Sequence, residues 1–197
     1  MTHESIAFGD LSWARLNPWR VLTAELFDAP ADQEMLHSIE RVVVEYSRSA
    51  DAYESVQALL FVGWFASRLG WEPHAALEEI PGTWRFWLVD GVRPVDVRIV
   101  RNDRPPAPDV RPTPGLRSVT IEATEGDRHA RYLVERTGAG DEARTVKHDG
   151  ANVEGRSHLP NQDEVELLQE ELGGFATDRI FVDSLNVVVG LFAEGRR

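Results

Sequence analysis

The stretch "LRSVTIEATEGDRHARYLVER", residues 116–136, predicts a β-hairpin around which the rest of the sheet can assemble. Apolar and polar residues alternate on both sides of a Glu-Gly-Asp sequence at 125–127, which is typical of a tight turn between two strands. The alternation places six apolar side chains on one shared face: Val119, Ile121, Ala123, Ala130, Tyr132 and Val134. We therefore expect an antiparallel sheet in this half of the chain.

Further strand-like segments on both sides extend the hairpin into a sheet. The segments "TWRFWLV" (83–89) and "VDVRIVR" (95–101) both alternate and are separated by a turn sequence. Two weaker strands follow at 142–148 and 152–158. Upstream, "IERVVVEY" (39–46) is β-branched and has the length of a strand.

The clearest helix is "SVQALLFVGWFASRL", residues 55–69. Asp51 and Glu54 have the spacing of a capping box, and Gly70 supplies a stop signal. The helix is apolar almost all round from 58 to 66, which predicts that it is covered on every side. We expect the central core helix here, with Gly63 permitting close approach of a neighbour.

Three other helices are predicted outside the sheet segments. One begins at Asn17-Pro18, with Asn17 as its N-cap, and the others cover 161–174 and, from Thr177, 177–195. The order lacks a repeating strand–helix alternation, which argues against a parallel doubly wound sheet. The sequence thus predicts a single α+β domain over 1–197, an antiparallel β-sheet with helices packed mainly on one face. A Pro-rich connector is expected at about 102–115.

Composition excludes several classes of function. The 197 residues carry a formal net charge of -12, which disfavours nucleic acid as a partner. The chain has no Cys, which excludes disulfides, thiolate catalysis and Cys-based zinc sites. Neither a secretory leader pattern nor an apolar run of the roughly 20 residues that a membrane span requires is present. We expect a cytoplasmic protein without a membrane partner; the sequence leaves a homo-oligomer open.

Motifs that would indicate catalysis are missing from the sequence. It has neither a nucleophile elbow nor a Walker A motif, and "GAGDEA" (138–143) is more typical of a hairpin turn than of a phosphate loop. His148 and His158, with Asp149 and Glu154 between them, leave a metal cluster open, although surface histidines on strands are the better interpretation. The sequence therefore predicts no enzyme, no cofactor and no metal.

Two groups of side chains are candidates for binding. Arg98, Arg101 and Arg104 could clamp the phosphate of a sugar phosphate, or they could pair with neighbouring carboxylates. Arg98 should share a strand face with Asp96. Trp84 and Trp87 should lie on opposite sides of one strand, one of them in the core. The other could be exposed for an interface or for stacking on a sugar, or it could be buried under a helix or loop.

The second group lies in "SWARLNPWR", residues 12–20. Trp13, Arg15, Trp19 and Arg20 could form a docking surface for a partner. Alternatively, the two tryptophans clamp the first helix onto the core, which the periodic apolar residues after Pro18 favour. In that interpretation Arg15 and Arg20 are the exposed members.

These segments resemble the C-terminal domain of the OpcA family of glucose-6-phosphate dehydrogenase assembly proteins. The family's Asp-Leu-x-Trp-x-Arg-Leu-x-Pro-Trp-Arg segment matches these residues: Asp10, Leu11, Trp13, Arg15, Leu16, Pro18, Trp19 and Arg20. A Gly-Trp-hydrophobic-Ala-Ser-Arg-Leu-Gly-Trp helix end matches residues 63–71. The closing "LLQEELGGFATDRIFVDSL" (167–185) resembles the family's last pair of helices.

The resemblance implies a non-catalytic activator or assembly protein of glucose-6-phosphate dehydrogenase, in the oxidative pentose phosphate pathway. The alternative is a sugar-phosphate-binding regulatory domain that uses the arginine-rich strands. The family's usual N-terminal domain is not recognisable, so the chain is expected to be a short form or a fragment. The thioredoxin control linked to cysteines in cyanobacterial members cannot be carried over to a chain without Cys.

Overall fold

A computed structural model describes residues 11–47, 54–103, 115–137, 141–160 and 178–193. Its helices are α1 (Leu11–Ala14), α2 (Asn17–Glu25), α3 (Pro30–Met35), α4 (Glu54–Leu69) and α5 (Arg179–Ala193), with a 3₁₀ turn at Leu36–Ser38. Its strands are β1 (Ile39–Ser47), β2 (Glu72–Pro73), β3 (Glu78–Ile80), β4 (Thr83–Asp90), β5 (Arg93–Arg101), β6 (Gly115–Glu125), β7 (Arg128–Arg136), β8 (Glu142–Asp149) and β9 (Ala151–His158). None of the described helices is long and apolar enough to cross a membrane.

The predicted hairpin is confirmed as β6 and β7. Its register pairs Val119 with Val134, Ile121 with Tyr132 and Ala123 with Ala130, as the alternation requires. All six side chains are buried. Gly126 adopts a φ of 59° at the turn, a conformation that glycine reaches without steric strain.

The α+β class is confirmed, and the predicted antiparallel sheet is corrected in one respect: the sheet is mixed, although mostly antiparallel. The nine strands form one mixed sheet in the order β2-β4-β5-β1-β6-β7-β8-β9, with β3 beside β4. β1 and β5 are parallel neighbours, whereas every other pair is antiparallel. The chain reaches β5 from β1 through α4 and the β4 hairpin, a long crossover of the kind that parallel neighbours need. The packing of helices mainly on one face stays a prediction, as does the single domain over 1–197.

Helix α4 is the central core helix that the sequence predicts. Ten of its 16 residues are buried, including the run Ala58–Gly63, and Gly70 ends the helix with a φ of 70°. Gly63 lies against α5: a Cβ built at this position would be 2.4 Å from the carbonyl oxygen of Ser184. The predicted close approach is therefore confirmed, with α5 as the neighbour.

Helix α3 is held against the sheet by a buried carboxylate. Asp32 is 2% exposed and accepts a hydrogen bond of 2.9 Å from the Tyr132 hydroxyl. Lys147, the cross-strand partner of Tyr132, donates to the other oxygen of Asp32. Burial and the hydrogen bond to Asp32 raise the pKa of Tyr132, so the phenol stays a donor.

The first helices differ from the sequence prediction in their capping. Helix α2 begins at Asn17 itself, so the prediction of Asn17 as N-cap is wrong. Leu16 is the N-cap and has helical dihedral angles, because α1 turns into α2 almost directly. Several predicted features lie outside the described residues or extend beyond them: the capping role of Asp51, most of the Pro-rich connector, part of the turn at 138–143, the helix at 161–174 and both ends of the helix predicted over 177–195.

Candidate interaction surfaces

Trp13 joins the N-terminal helices to α5. Its side chain is 4% exposed, and its indole Nε1 donates a 2.7 Å hydrogen bond to Oδ2 of Asp178. The other carboxylate oxygen of Asp178 accepts from the backbone N–H groups of Ile180 and Phe181 at 2.8 and 3.2 Å, which caps α5. The rings of Trp13 and Phe181 are 5.3 Å apart. One carboxylate therefore fixes both the indole and the helix start.

Arg20 covers this junction. Its guanidinium carbon lies 3.8 Å from the centre of the Trp13 ring, a cation–π contact, and Nη2 donates to Oδ1 of Asn17 at 3.4 Å. Burial lowers the pKa of Arg20, while the nearby charge of Asp178 raises it. Arg15 is half-buried on the neighbouring turn.

Trp19 belongs to the core. It is 3% exposed, and the guanidinium of Arg136 lies 6.0 Å from its ring. Arg136 is itself buried and donates a 3.0 Å hydrogen bond to the carbonyl oxygen of Leu159. The structure thus supports packing for both tryptophans. A docking role for Trp13, Arg15, Trp19 and Arg20 stays a prediction.

The outer face of α5 is an exposed apolar surface that the sequence analysis did not single out. Val182, Val189 and Phe192 are 40%, 63% and 49% exposed, and half-buried Leu185 lies between them. These four residues, the outer stripe, have the 3-4-3 spacing of a helix–helix seam. Val56 on the neighbouring helix α4 is also exposed, at 42%. The spacing is visible in the sequence, but only the structure shows which side of this apolar helix the core leaves uncovered.

A cluster of arginines surrounds one buried carboxylate on the sheet. Asp96 is 3% exposed and pairs with Arg41, Arg85 and Arg98 at 3.2, 2.8 and 2.6 Å. Arg41 also pairs with Glu122 at 2.9 Å. Burial alone would raise the pKa of Asp96, but the hydrogen bonds from the three arginines outweigh it and the pKa lies below its usual value. We call these five residues the arginine cluster.

The two described arginines of the predicted phosphate clamp, Arg98 and Arg101, have different carboxylate partners, and the clamp itself stays a prediction. Arg98 shares the strand face of Asp96, as predicted. Arg101 pairs instead with Asp103 at 2.9 Å, and Arg104 lies outside the described residues. Arg41 and Arg85 were not predicted beside Arg98: β1 becomes the neighbour of β5 only through the crossover, whereas Arg85 lies opposite Arg98 in the β4–β5 hairpin.

The two tryptophans of β4 lie on opposite faces, as their spacing requires. Trp84 packs against the core, whereas Trp87 has the Arg85 guanidinium 4.8 Å from its ring. Both are half-buried, so neither lies wholly in the core or wholly in solvent. Trp87 is covered in part by the arginine above it.

A polar trough of about 510 Å³ adjoins the arginine cluster. Its lining includes Glu45, Ser118, Thr120, Arg131 and Glu135. The cross-strand register places the trough and the cluster on the same face of the sheet, since Arg98 pairs with Val43 and Val43 pairs with Thr120.

The histidines do not form a metal site in the described part of the chain. His148 pairs with Asn152 near the turn of the β8–β9 hairpin, whereas His158 pairs with Glu142 at its open end. Within the described ranges, no three His, Asp or Glu side chains converge in a way that could hold a metal ion.

The fold and these surfaces define an α+β protein with a mixed sheet, an ionic sheet face and an exposed apolar helix. The chain belongs to the OpcA family, described as the C-terminal domain of a glucose-6-phosphate dehydrogenase subunit, and the family model matches residues 6–185. The resemblance to the OpcA family is thereby confirmed.

Similar proteins include OpcA proteins of three cyanobacteria, whose names link them provisionally to the OxPP cycle. The chain is 42% identical over 73 residues to that of Nostoc punctiforme, 40% over 73 residues to that of Synechocystis, and 44% over 64 residues to that of Synechococcus elongatus. These matches cover 37%, 37% and 32% of this chain. They cover only 15%, 14% and 14% of the relatives.

Among solved structures, the transcriptional regulator Gal80p of Kluyveromyces lactis superposes with a TM-score of 0.48 at 12% identity, over 94% of this chain and 56% of that one. A Gfo/Idh/MocA family oxidoreductase of Vibrio cholerae gives 0.40 at 11% identity, over 94% and 58%. Structural similarities this distant do not indicate the function of this chain.

Proposed function

We propose that this chain is a non-catalytic protein that binds glucose-6-phosphate dehydrogenase and promotes its assembly or activation in the oxidative pentose phosphate pathway. Membership of the family supports the partner, and the names of the relatives support the pathway. Within the described residues, the observation that carries the proposal is the exposed outer stripe of α5.

The outer stripe has the chemistry of a protein interface. Val189 and Phe192 are large apolar side chains that water contacts over about half of their surface. Exposed apolar patches on a folded protein are characteristic of protein–protein contacts. The 3-4-3 spacing matches the geometry by which one helix packs against another, so the partner would present an apolar helix to this face.

Two of the four predicted docking residues, Trp13 and Arg20, lie at the start of α5. Trp13 contacts Phe181 and Asp178 at the start of α5, immediately before Val182. The guanidinium of Arg20 stacks on the Trp13 ring. Trp13 would then support the surface from below, while Arg15 and Arg20 would contact the partner at the rim; Trp19 would hold α2 in the core.

The test is a titration of the purified chain into glucose-6-phosphate dehydrogenase of the same organism. Initial rate and mass, by light scattering, are followed together. A saturable rise in rate with a shift in mass is expected. No change in either with the folded chain in excess would overturn the proposal.

Two matched variants locate the surface. Val189→Lys on α5 should abolish the effect, whereas Val153→Lys on β9 should not, although both valines are 63% exposed. The double variant Arg15→Glu, Arg20→Glu should also abolish it, and should lower the melting temperature as well, because Arg20 stacks on Trp13 near the charge of Asp178. A large loss of melting temperature in Val189→Lys, or equal stimulation by both valine variants, would show that the outer stripe is not the docking surface.

A further inference from the structure

The arginine cluster presents three guanidinium groups and one carboxylate to solvent, since the side chain of Glu122 is 32% exposed and that of Asp96 is buried. Its three guanidinium groups outnumber its two carboxylates. The Asp96 side chain is 4% exposed, whereas those of Arg41, Arg85 and Arg98 are 40%, 31% and 37% exposed. The guanidinium groups therefore stand between the carboxylate of Asp96 and water. With three arginines against two carboxylates, the cluster carries a formal charge of +1 on a chain with a net charge of -12.

Much of the hydrogen-bonding capacity of the cluster is unused. A guanidinium has five N–H donors in a rigid fork. Asp96 accepts from Nε of Arg41 and Nε of Arg85, and from Nε and Nη2 of Arg98. Glu122 accepts from Nη1 of Arg41. Within the described residues, both Nη groups of Arg85, Nη2 of Arg41 and Nη1 of Arg98 have no acceptor.

The guanidinium groups are held in place before any ligand arrives. Asp96 fixes all three from below, and the ring of Trp87 lies 4.8 Å from the guanidinium carbon of Arg85. Because long side chains lose rotamer freedom when a ligand immobilises them, this prior ordering favours binding. Guanidinium forks match the oxygens of a phosphate, which accept two parallel hydrogen bonds.

The trough extends the cluster in one direction. Thr120 in the trough is two strands from Arg98, a distance of about 10 Å at the usual strand spacing. The trough is lined by the carboxylate of Glu45 and by the hydroxyl groups of Ser118 and Thr120. These groups could form hydrogen bonds with the hydroxyl groups of a ligand.

We infer that the arginine cluster binds the phosphate group of a small hydroxylated phosphate monoester, whose remainder lies in the adjoining trough. The site is distinct from the run Arg98, Arg101 and Arg104 suggested by the sequence. It does not depend on association with the dehydrogenase, because its residues lie on the sheet and not on α5.

The experiment is calorimetric titration of the whole chain with glucose 6-phosphate at low ionic strength. Neutral glucose and inorganic phosphate at equal ionic strength are the comparison ligands. We expect glucose 6-phosphate to bind more tightly than phosphate, and glucose not to bind. The affinity should fall as salt is raised.

Arg98→Gln and Arg101→Gln form a matched pair, since both arginines lie on β5 and their side chains are both 37% exposed. Loss of one charge-assisted contact should weaken binding by about tenfold in Arg98→Gln and leave Arg101→Gln unchanged. Arg85→Gln provides a second cluster variant if Arg98→Gln does not fold, as judged by its melting curve without ligand.

Three results would overturn the inference. If glucose 6-phosphate at millimolar concentration gives no heat of binding, the arginine cluster is not a phosphate site. Equal affinity of the wild-type chain and both cluster variants would place binding elsewhere. If inorganic phosphate and glucose 6-phosphate bind with equal affinity, the trough does not contribute to ligand binding.

Discussion

The contact between Gly63 and α5 predicts a loss of stability whose size follows from two interatomic distances. In Gly63→Ala the new methyl carbon would lie 2.4 Å from the carbonyl oxygen of Ser184 and 2.9 Å from Cγ2 of Val188. An ordinary contact between such atoms needs about 3.4 Å or more, so the two helices must separate by roughly 1 Å. The clash involves backbone, which cannot rotate away as a side chain could.

Two opposing effects set the net change in the free energy of unfolding. Alanine in a helix interior is more favourable than glycine by about 1 kcal/mol. Overpacking a core typically costs about 1–3 kcal/mol, and a clash with a helix backbone belongs at the upper end. We therefore expect the free energy of unfolding to fall by about 2 kcal/mol. For a chain of this size, that loss lowers the melting temperature by roughly 4–8 °C.

Urea denaturation followed by tryptophan fluorescence and circular dichroism would measure the loss. Gly190→Ala on α5 is the control, because the three atoms nearest its Cβ all belong to the ring of Pro73, the nearest at 2.9 Å, and none is backbone. A Gly63→Ala protein as stable as the wild type, or more stable, would refute the rigid close approach of α4 and α5.

Three further substitutions test the buried polar contacts. Trp13→Phe keeps the ring contact with Phe181 but removes the hydrogen-bond donor to Asp178. It should lower the free energy of unfolding, measured in urea, by about 1–2 kcal/mol. An unchanged urea midpoint would contradict the hydrogen bond from Trp13 to Asp178. Tyr132→Phe removes the hydroxyl that donates to buried Asp32 and should cost about 1–3 kcal/mol by the same measurement. Asp96→Asn should be destabilising at neutral pH. The fold lowers the pKa of Asp96, so the stability that its charge contributes is complete above the ordinary pKa of 3.8 and is lost as the pH falls through the lower folded value. The difference in the free energy of unfolding between the variant and the wild type should therefore shrink in acid. A difference that does not change with pH would contradict the ionic role of Asp96.

Much of the secondary structure follows from local patterns in the sequence. The β6–β7 register was predictable because an alternating pattern with a fixed turn permits only one pairing that buries Val119, Ile121 and Tyr132 together. Burial of α4 was predictable because its apolar residues surround the helix. The capping of α2 was not predictable, since Asn17 is a good N-cap in isolation and only the direct junction with α1 places it inside the helix.

The candidate sites were less predictable than the elements that carry them. Arg98 was identified beside Asp96 because the two residues are two apart on one strand. Arg41 lies 55 positions away along the chain and reaches the same carboxylate only because β1 is the neighbour of β5. The separation of Arg41 and Asp96 along the sequence gives no indication that the two side chains pair.

Local sequence information was enough to establish most of the strands and helices, the place of α4 in the core, and the family to which the chain belongs. These properties follow from backbone sterics, side-chain periodicity and matched motifs, all of which are local. Packing of the whole chain was needed to establish that β1 lies parallel to β5, that Asp96 receives three arginines, and that the outer stripe of α5 stays exposed. Each of these depends on how distant segments meet, because the burial of apolar surface is satisfied by the whole assembly of elements and not by any one of them.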